Sequence, residues 1–289
     1  MSGDFAADWL TLREPADLEA RDASLLGRLG SLCGELSINE AVDLGCGTGS
    51  TWRAMPPALA DGLRWTLVDR DTRLLDEARH RLGDRPNVRF RAMDLGEVQA
   101  IPLPVRGLVT ASALFDLCSA AWIDTFVARI VESHGVLYVA LTHDGEVSFA
   151  PSHAGDRDIG RAFDAHQRTD KGLGVALGPD AAAHLATRLR AAGMHVLEAR
   201  SDWVLTVRDA SLQRAYIGGY AAALGDDPSV HGILDSWLSH RFSAIDAGAA
   251  SCVVGHRDVL SWPRGRGRSV ARPSRRPMSR FISSGRSSS

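Results

Sequence analysis

The chain lacks any apolar run near the roughly 18 residues needed to span a bilayer. Its first twenty residues carry Asp4, Asp8, Arg13, Glu14 and Asp17, so they form no secretory hydrophobic region. Cysteine is scarce. Cys33, Cys46, Cys118 and Cys252 lie far apart, with no C-x-x-C pair and no histidine at zinc-finger spacing, which argues against a structural zinc site or a disulfide framework. A cytoplasmic protein with free thiols is expected. No Gly-Lys-Ser/Thr follows a glycine-rich turn, so there is no Walker A phosphate loop. Acidic residues are missing altogether from Pro263 onward, where Arg264, Arg266, Arg268, Arg272, Arg275, Arg276, Arg280 and Arg286 accumulate.

What remains is ordinary globular material: 289 residues, 45% hydrophobic and 24% charged, enough for one large α/β domain with a sizeable core. The formal charge of −2 hides an asymmetry, because the body before the tail holds 25 basic residues against 35 acidic ones. An acidic body disfavours a phosphate backbone as substrate. The Ser/Gly/Pro/Arg-rich segment 263–289 is expected to be disordered, although a basic tail can touch nucleic acid or anionic surfaces.

Along the body, short β-like runs alternate with helical ones. Residues 16–36 predict a helix, Ala41–Gly45 a strand running into a glycine-rich turn, and Trp65–Asp69 a second strand. A helix follows to Leu82, with Asp71 placed to cap it. Val88–Asp94 and Gly107–Phe115 predict strands, Ser119–Ser133 an amphipathic helix, and Gly135–Thr142 the most apolar strand. Strands separated by helices imply right-handed crossovers and a parallel sheet. After Thr142 the rhythm breaks into a polar stretch, 143–178, expected to be a substrate-loop insertion. Pro179–Ala192 predicts a helix, 195–207 a strand pair or one bent strand, 210–224 and 230–246 two more helices, and Ser251–Leu260 a last strand. The expected organisation is one domain over 1–262, with an N-terminal helical lid (1–36) and added helices (208–248).

The most informative stretch is Asp43-Leu-Gly45-Cys46-Gly47-Thr48-Gly49, directly after a strand and before a helix. Glycines there let the backbone pass close to a ligand. Position 50 is serine, so the third glycine falls one place early for the dinucleotide fingerprint G-x-G-x-x-G. Asp69 closes the second strand and Asp94 the third, and ligands of open parallel sheets bind at those carboxyl ends. A carboxylate there accepts hydrogen bonds from ribose hydroxyls, and a second can accept one from an adenine amino group.

These residues resemble the class I S-adenosylmethionine-dependent methyltransferases, whose first motif D/E-x-G-x-G-x-G is matched by Asp43–Gly49. The resemblance covers about 35–145 with specific motifs and extends more loosely to 262. It implies a doubly wound α/β fold with a mostly parallel seven-stranded sheet, helices on both faces and an antiparallel last strand. It also implies S-adenosylmethionine as cofactor, with Asp69 and neighbouring Arg70 at the ribose and Asp94 with Leu95 at the adenine. Gly45, Cys46, Gly47 and Gly49 would line the methionine end, with Asp43 also binding the cofactor and Ser112 beside the methyl group. Arg21 is a candidate for the cofactor carboxylate, although a helix-surface pair with Asp17, four residues back, is an equal reading.

Methyl transfer from a sulfonium needs alignment and exclusion of water, and a base only if the acceptor carries a proton. Asp116, after the fourth strand, is a candidate base or orienter, or else the cap of the next helix. His143, after the fifth strand, is a second candidate, or a surface residue. Phe115, Asp144, Phe149, His166 and Gln167 are candidate walls of the acceptor site. His153 and His166 lack the further ligands a metal would need, and no metal is expected. With asparagine only at 39 and 87, the Asp-Asn pair of magnesium-dependent catechol-type enzymes is impossible. The Pro-Pro-aromatic motif of enzymes acting on amino groups of DNA or protein is absent too, since Ala follows Pro56-Pro57. A small organic acceptor, methylated on O or N, is the remaining expectation. A catalytically silent cofactor-binding regulator, a nicotinamide-dependent oxidoreductase and a nucleic-acid methyltransferase guided by the tail are the alternatives.

Overall fold

A computed structural model describes residues 7–264. The expectations for the tail lie almost wholly outside these residues. In chain order the elements are α1 (Ala7–Ala20), α2 (Ala23–Glu35), β1 (Glu40–Leu44), α3 (Ser50–Ala54), α4 (Pro57–Ala60), β2 (Arg64–Asp69), α5 (Thr72–Leu82), β3 (Val88–Ala92), β4 (Leu108–Ser112) and α6 (Ala120–Ser133). Then come β5 (Val136–Ala150), α7 (Asp156–Gln167), α8 (Ala181–Ala191), β6 (Met194–Arg200), β7 (Trp203–Leu205), α9 (Ala210–Leu224), α10 (Leu234–Asp246) and β8 (Ser251–Pro263).

One sheet runs β3-β2-β1-β4-β5-β8-β6, with the short β7 also pairing to β8. The first five strands of that path are parallel, and β8 is antiparallel to β5, β6 and β7. The doubly wound expectation holds, with β7 as an eighth strand. The parallel strands can be apolar throughout because both faces are covered. Leu25, Leu29 and Leu32 of α2 join Trp52, Leu59 and Leu75 on one face. Trp122, Phe126 and Ile130 of α6 join Leu185 and Leu189 of α8 on the other. Asp22, Asp71 and Ser119 cap α2, α5 and α6 by accepting from Leu25, Arg73 and Trp122 amides.

Two expectations need correction. The helix expected over 16–36 is two helices, broken at Arg21-Asp22, because the extended backbone of Asp22 lets its carboxylate cap α2. The polar stretch 143–178 is no plain loop. Strand β5 continues through 143–150 against β8, its polar side chains alternating toward solvent, and α7 follows. This α7 buries Ile159 and Ala162 against α9 and α10 in a helical annex built around Tyr220 and Trp237.

A second small core, Trp203, Leu205, Leu212, Cys252 and Val254, holds α1 to the sheet through Trp9, Leu12 and Ala16. All four cysteines are free and buried. No helix among the described residues is long and apolar enough to cross a membrane.

Candidate functional site

A cleft opens at the carboxyl ends of β1, β2 and β4, the place where strand order reverses. Its floor is the turn from Gly45 to Gly49. Gly47 (φ 53°) and Gly49 (φ 84°) are left-handed, and a Cβ on either would sit 3.0 Å from Leu10 or Leu82. The turn is held open from β2: Asp69 accepts the Gly47 amide at 2.8 Å and the Asp71 amide at 2.9 Å. A carboxylate has about four acceptor sites, so Asp69 keeps two for a ligand.

Gly45, Cys46, Gly47, Asp69, Arg70, Asp94, Leu95 and Ser112 all line this cleft. Asp94 braces its own loop by accepting the Gly96 amide at 2.9 Å, and the Leu95 carbonyl accepts from Trp122 Nε1 at 2.8 Å. Cys46 is buried, and burial pushes its thiol well up, so it supplies volume rather than a thiolate.

Asp43 lies beneath the turn with no exposed surface. Its Oδ1 accepts from Thr110 at 2.6 Å, while Oδ2 has no partner. Burial pushes its carboxyl up to about 7, opposed by the Thr110 hydrogen bond and the nearby Arg21 charge. The folded chain therefore retains a proton that an unfolded carboxyl, with a pKa of about 3.9, has released. That contribution to stability is complete below about pH 4 and is lost as pH rises toward 7. An Asp43→Asn variant keeps an acceptor for Thr110 and removes the titration. Its Tm relative to wild type should climb by several degrees between about pH 5 and pH 8 in scanning calorimetry. A difference that does not change with pH would contradict the buried-acid account.

Arg21 sits in the break between α1 and α2. It is buried, donates from Nη2 to Ser112 Oγ at 3.1 Å, and leaves Nε and Nη1 unpartnered. The expected surface pair with Asp17 is not made. Asp17 instead takes a two-pronged ion pair from Arg13 at 2.9 and 3.0 Å, and both are buried.

The residues singled out for chemistry divide. Asp116 and His143 come together, although neither is in the lining of the cleft: each lies in the other's field, and both carry a buried atom without a partner, Asp116 Oδ1 and His143 Nε2. His143 Nδ1 is 3.2 Å from the Gly255 carbonyl, which can only accept, so Nδ1 carries the proton and Nε2 the lone pair. Burial pushes Asp116 up, with His143 opposing.

The proposed walls fare differently. Phe115 is wholly buried among Trp122 and Phe126, and Phe149 packs on Tyr220 and Trp237 in the annex. Asp144 is engaged by Arg257 Nε at 2.9 Å and by the Glu146 amide. Gln167 ends α7, and neither it nor His166 lines the cleft. His166 packs beside Phe163, its pKa lowered by burial and by Lys171.

Several site residues left no mark in the sequence. Asp164 of α7 and His256 of β8 both lie in the field of His143; burial raises the first and lowers the second well below the ordinary imidazole value. Leu10, Arg13 and Asp17 roof the cleft from α1, and Lys171 and Leu173 close it from the segment after α7. Their sequence neighbourhoods carry no motif, because only packing brings them to the strand ends. Among the described residues no group of three His, Cys, Asp or Glu side chains is placed to hold a metal.

The donor set suits S-adenosylmethionine: two unpartnered guanidinium nitrogens for a carboxylate, spare Asp69 acceptors for ribose hydroxyls, and Leu95 beside Asp94 for an adenine. Residues 41–133 match the family model described as a methyltransferase domain. No curated protein sequence matches the chain.

Among solved structures, the chain is similar to an S-adenosylmethionine-dependent methyltransferase from Geobacter sulfurreducens in complex with S-adenosylhomocysteine. That match has 16% identity and a TM-score of 0.46, and covers 90% of this chain and 99% of the other. It is also similar to the YcgJ protein of Bacillus subtilis, with 14% identity, a TM-score of 0.48 and coverage of 84% and 100%. A third likeness is to phosphoethanolamine N-methyltransferase 2 of Haemonchus contortus, with 14% identity, a TM-score of 0.42 and 78% of this chain covered. This chain spans about half of that enzyme's length, 49%.

Proposed function

We propose that this chain, whose residues 41–133 match the model of a methyltransferase domain, uses S-adenosylmethionine to methylate an O or N atom of a small organic molecule. The observation that carries this reading is the cleft itself. Its glycine turn is held by Asp69, and behind Ser112 of its lining a buried Arg21 keeps two unpartnered nitrogens.

In this reading Arg21 takes the cofactor carboxylate, Asp69 the ribose hydroxyls and Asp94 with Leu95 the adenine. The bound cofactor supplies a methyl group on a sulfonium, with a neutral thioether as leaving group. The chain's own work is alignment, exclusion of water and proton removal. Leu10 and Arg13 above, with Leu173 at the side, keep solvent from the cleft. His143 Nε2, which bears the lone pair, receives the proton lost by the acceptor's O–H or N–H. The Asp116 carboxylate stabilises the imidazolium that results.

The acidic body favours a small acceptor over nucleic acid. The test is a calorimetric titration with S-adenosylmethionine, with NAD as control, followed by transfer of labelled methyl into fractionated metabolites. Binding and transfer support the reading. Binding without transfer to any fraction makes the chain a cofactor-binding regulator, and binding of NAD alone overturns the cofactor assignment.

A further inference from the structure

Strand β5 does not run straight to His143. Val139 pairs with Val259, which in a regular antiparallel ladder would place residue 141 opposite Arg257. Instead Thr142 stands opposite Arg257, and His143 opposite His256. One extra residue has entered β5, and the cause is visible at Leu141. Its φ is 55°, left-handed for a leucine that is only 1% exposed. Because strand side chains alternate with period two, one inserted residue moves every later side chain to the opposite face. Without the bulge, Thr142 would occupy the place of His143 beside Asp116.

The bulge is clasped by Asp258 of β8, which has no exposed surface. Its Oδ1 accepts the Leu141 amide at 2.9 Å. Its Oδ2 accepts the Tyr138 hydroxyl at 2.8 Å and the Asp22 amide at 3.4 Å. The Tyr138 hydroxyl in turn lies beside the Arg21 guanidinium. One buried carboxylate thus grips the backbone two residues before His143, the residue just after Arg21, and a phenol that lies in the field of Arg21.

We propose that Asp258 is a positioning residue: it locks the Leu141 bulge that turns His143 toward the acceptor and, through Tyr138 and Asp22, sets Arg21 for the methyl donor. The assignment of ends rests on the function proposed above, whereas the effect on His143 does not. Asparagine at 258 sets an NH2 against either the Leu141 amide or the Asp22 amide, both of which can only donate, so it cannot hold both as the carboxylate does.

The test uses full-length chain with 15N-labelled histidine, the His143 imidazole signals being identified by their loss in His143→Gln, and S-adenosylmethionine as the binding probe. Asp258→Asn is expected to move the His143 signals and to weaken binding about tenfold. Adding Leu141→Gly, which takes a left-handed φ freely, should restore the His143 signals, also where Asp258→Asn alone folds poorly. Tyr138→Phe should weaken binding by several-fold while leaving the His143 signals in place. Asp258→Asn that folds with unmoved signals and unchanged binding overturns the inference. So does a Tyr138→Phe variant that binds like wild type, for the Arg21 link. If wild type fails to bind the probe but Asp258→Asn still moves His143, the proposed function falls and the positioning of His143 stands.

Discussion

Replacing Asp69 with alanine is expected to weaken S-adenosylmethionine binding about a hundredfold in calorimetric titration, with the fold intact. Two ribose hydroxyl bonds to a charged carboxylate, at about 1.5 kcal/mol each, the lower end for such bonds, account for that loss, since about 1.4 kcal/mol is tenfold in affinity. The side chain does a second job. It accepts the Gly47 and Asp71 amides, so its removal also frees the glycine turn to leave its left-handed path. An Asp69→Asn variant separates the two roles. It retains one carbonyl acceptor but offers an NH2 where the second amide must be received, so an intermediate loss is expected. Wild-type affinity in Asp69→Ala would remove the ribose from this strand end and with it the placement of the cofactor.

The largest effect on stability is expected at Trp203, well away from the motif. Its ring is 3% exposed and meets Trp9, Tyr216 and His256 at centroid distances of 6.3, 6.1 and 5.2 Å. The Arg13 guanidinium lies 4.9 Å over it, and its Nε1 donates to Asp17 at 2.9 Å. Trp203→Ala should therefore cost about 3–5 kcal/mol, the range for emptying a buried aromatic site, and lower Tm by on the order of 10 °C. The loss should also reach the cleft, because Arg13 and Asp17 are part of its roof. Weaker S-adenosylmethionine binding and faster proteolysis within α1 are the expected companions. Trp203→Phe keeps the ring and leaves Asp17 without one donor, for a loss of about 1–2 kcal/mol. A Trp203→Ala variant that melts and binds like wild type would show that β7 does not hold α1 down.

The two predictions sit at opposite ends of what can be read from a chain of letters. Asp69 is visible because it ends an apolar run, 26 residues after Asp43, and a strand end is a local event. The same holds for the glycine turn, for the cap Asp71 of its helix, and for the alternation of strands with helices that dictates a parallel sheet. Each depends on residues within a few positions of one another, where backbone sterics and side-chain reach decide the outcome.

The acceptor side behaves otherwise. Residues 143–150 look like a polar loop because only half of their side chains are covered, yet they extend β5, since β8 supplies a partner from more than 100 residues away. Phe115 and Phe149 look like walls because aromatic residues near strand ends often are, but the cores around Trp122 and Trp237 claim them. Asp164, Lys171 and His256 reach the site only through the packing of α7 and β8. By itself, then, the sequence determined the strand-turn-helix frame, the order of the parallel strands' motifs and the carboxylates at their ends, since these arise from contacts along the chain. Which face of β5 presents His143, what roofs the cleft and which polar atoms stay unpartnered were decided only in the tertiary structure. A one-residue bulge clasped by a buried aspartate from another strand outweighs any local preference of the residues it turns.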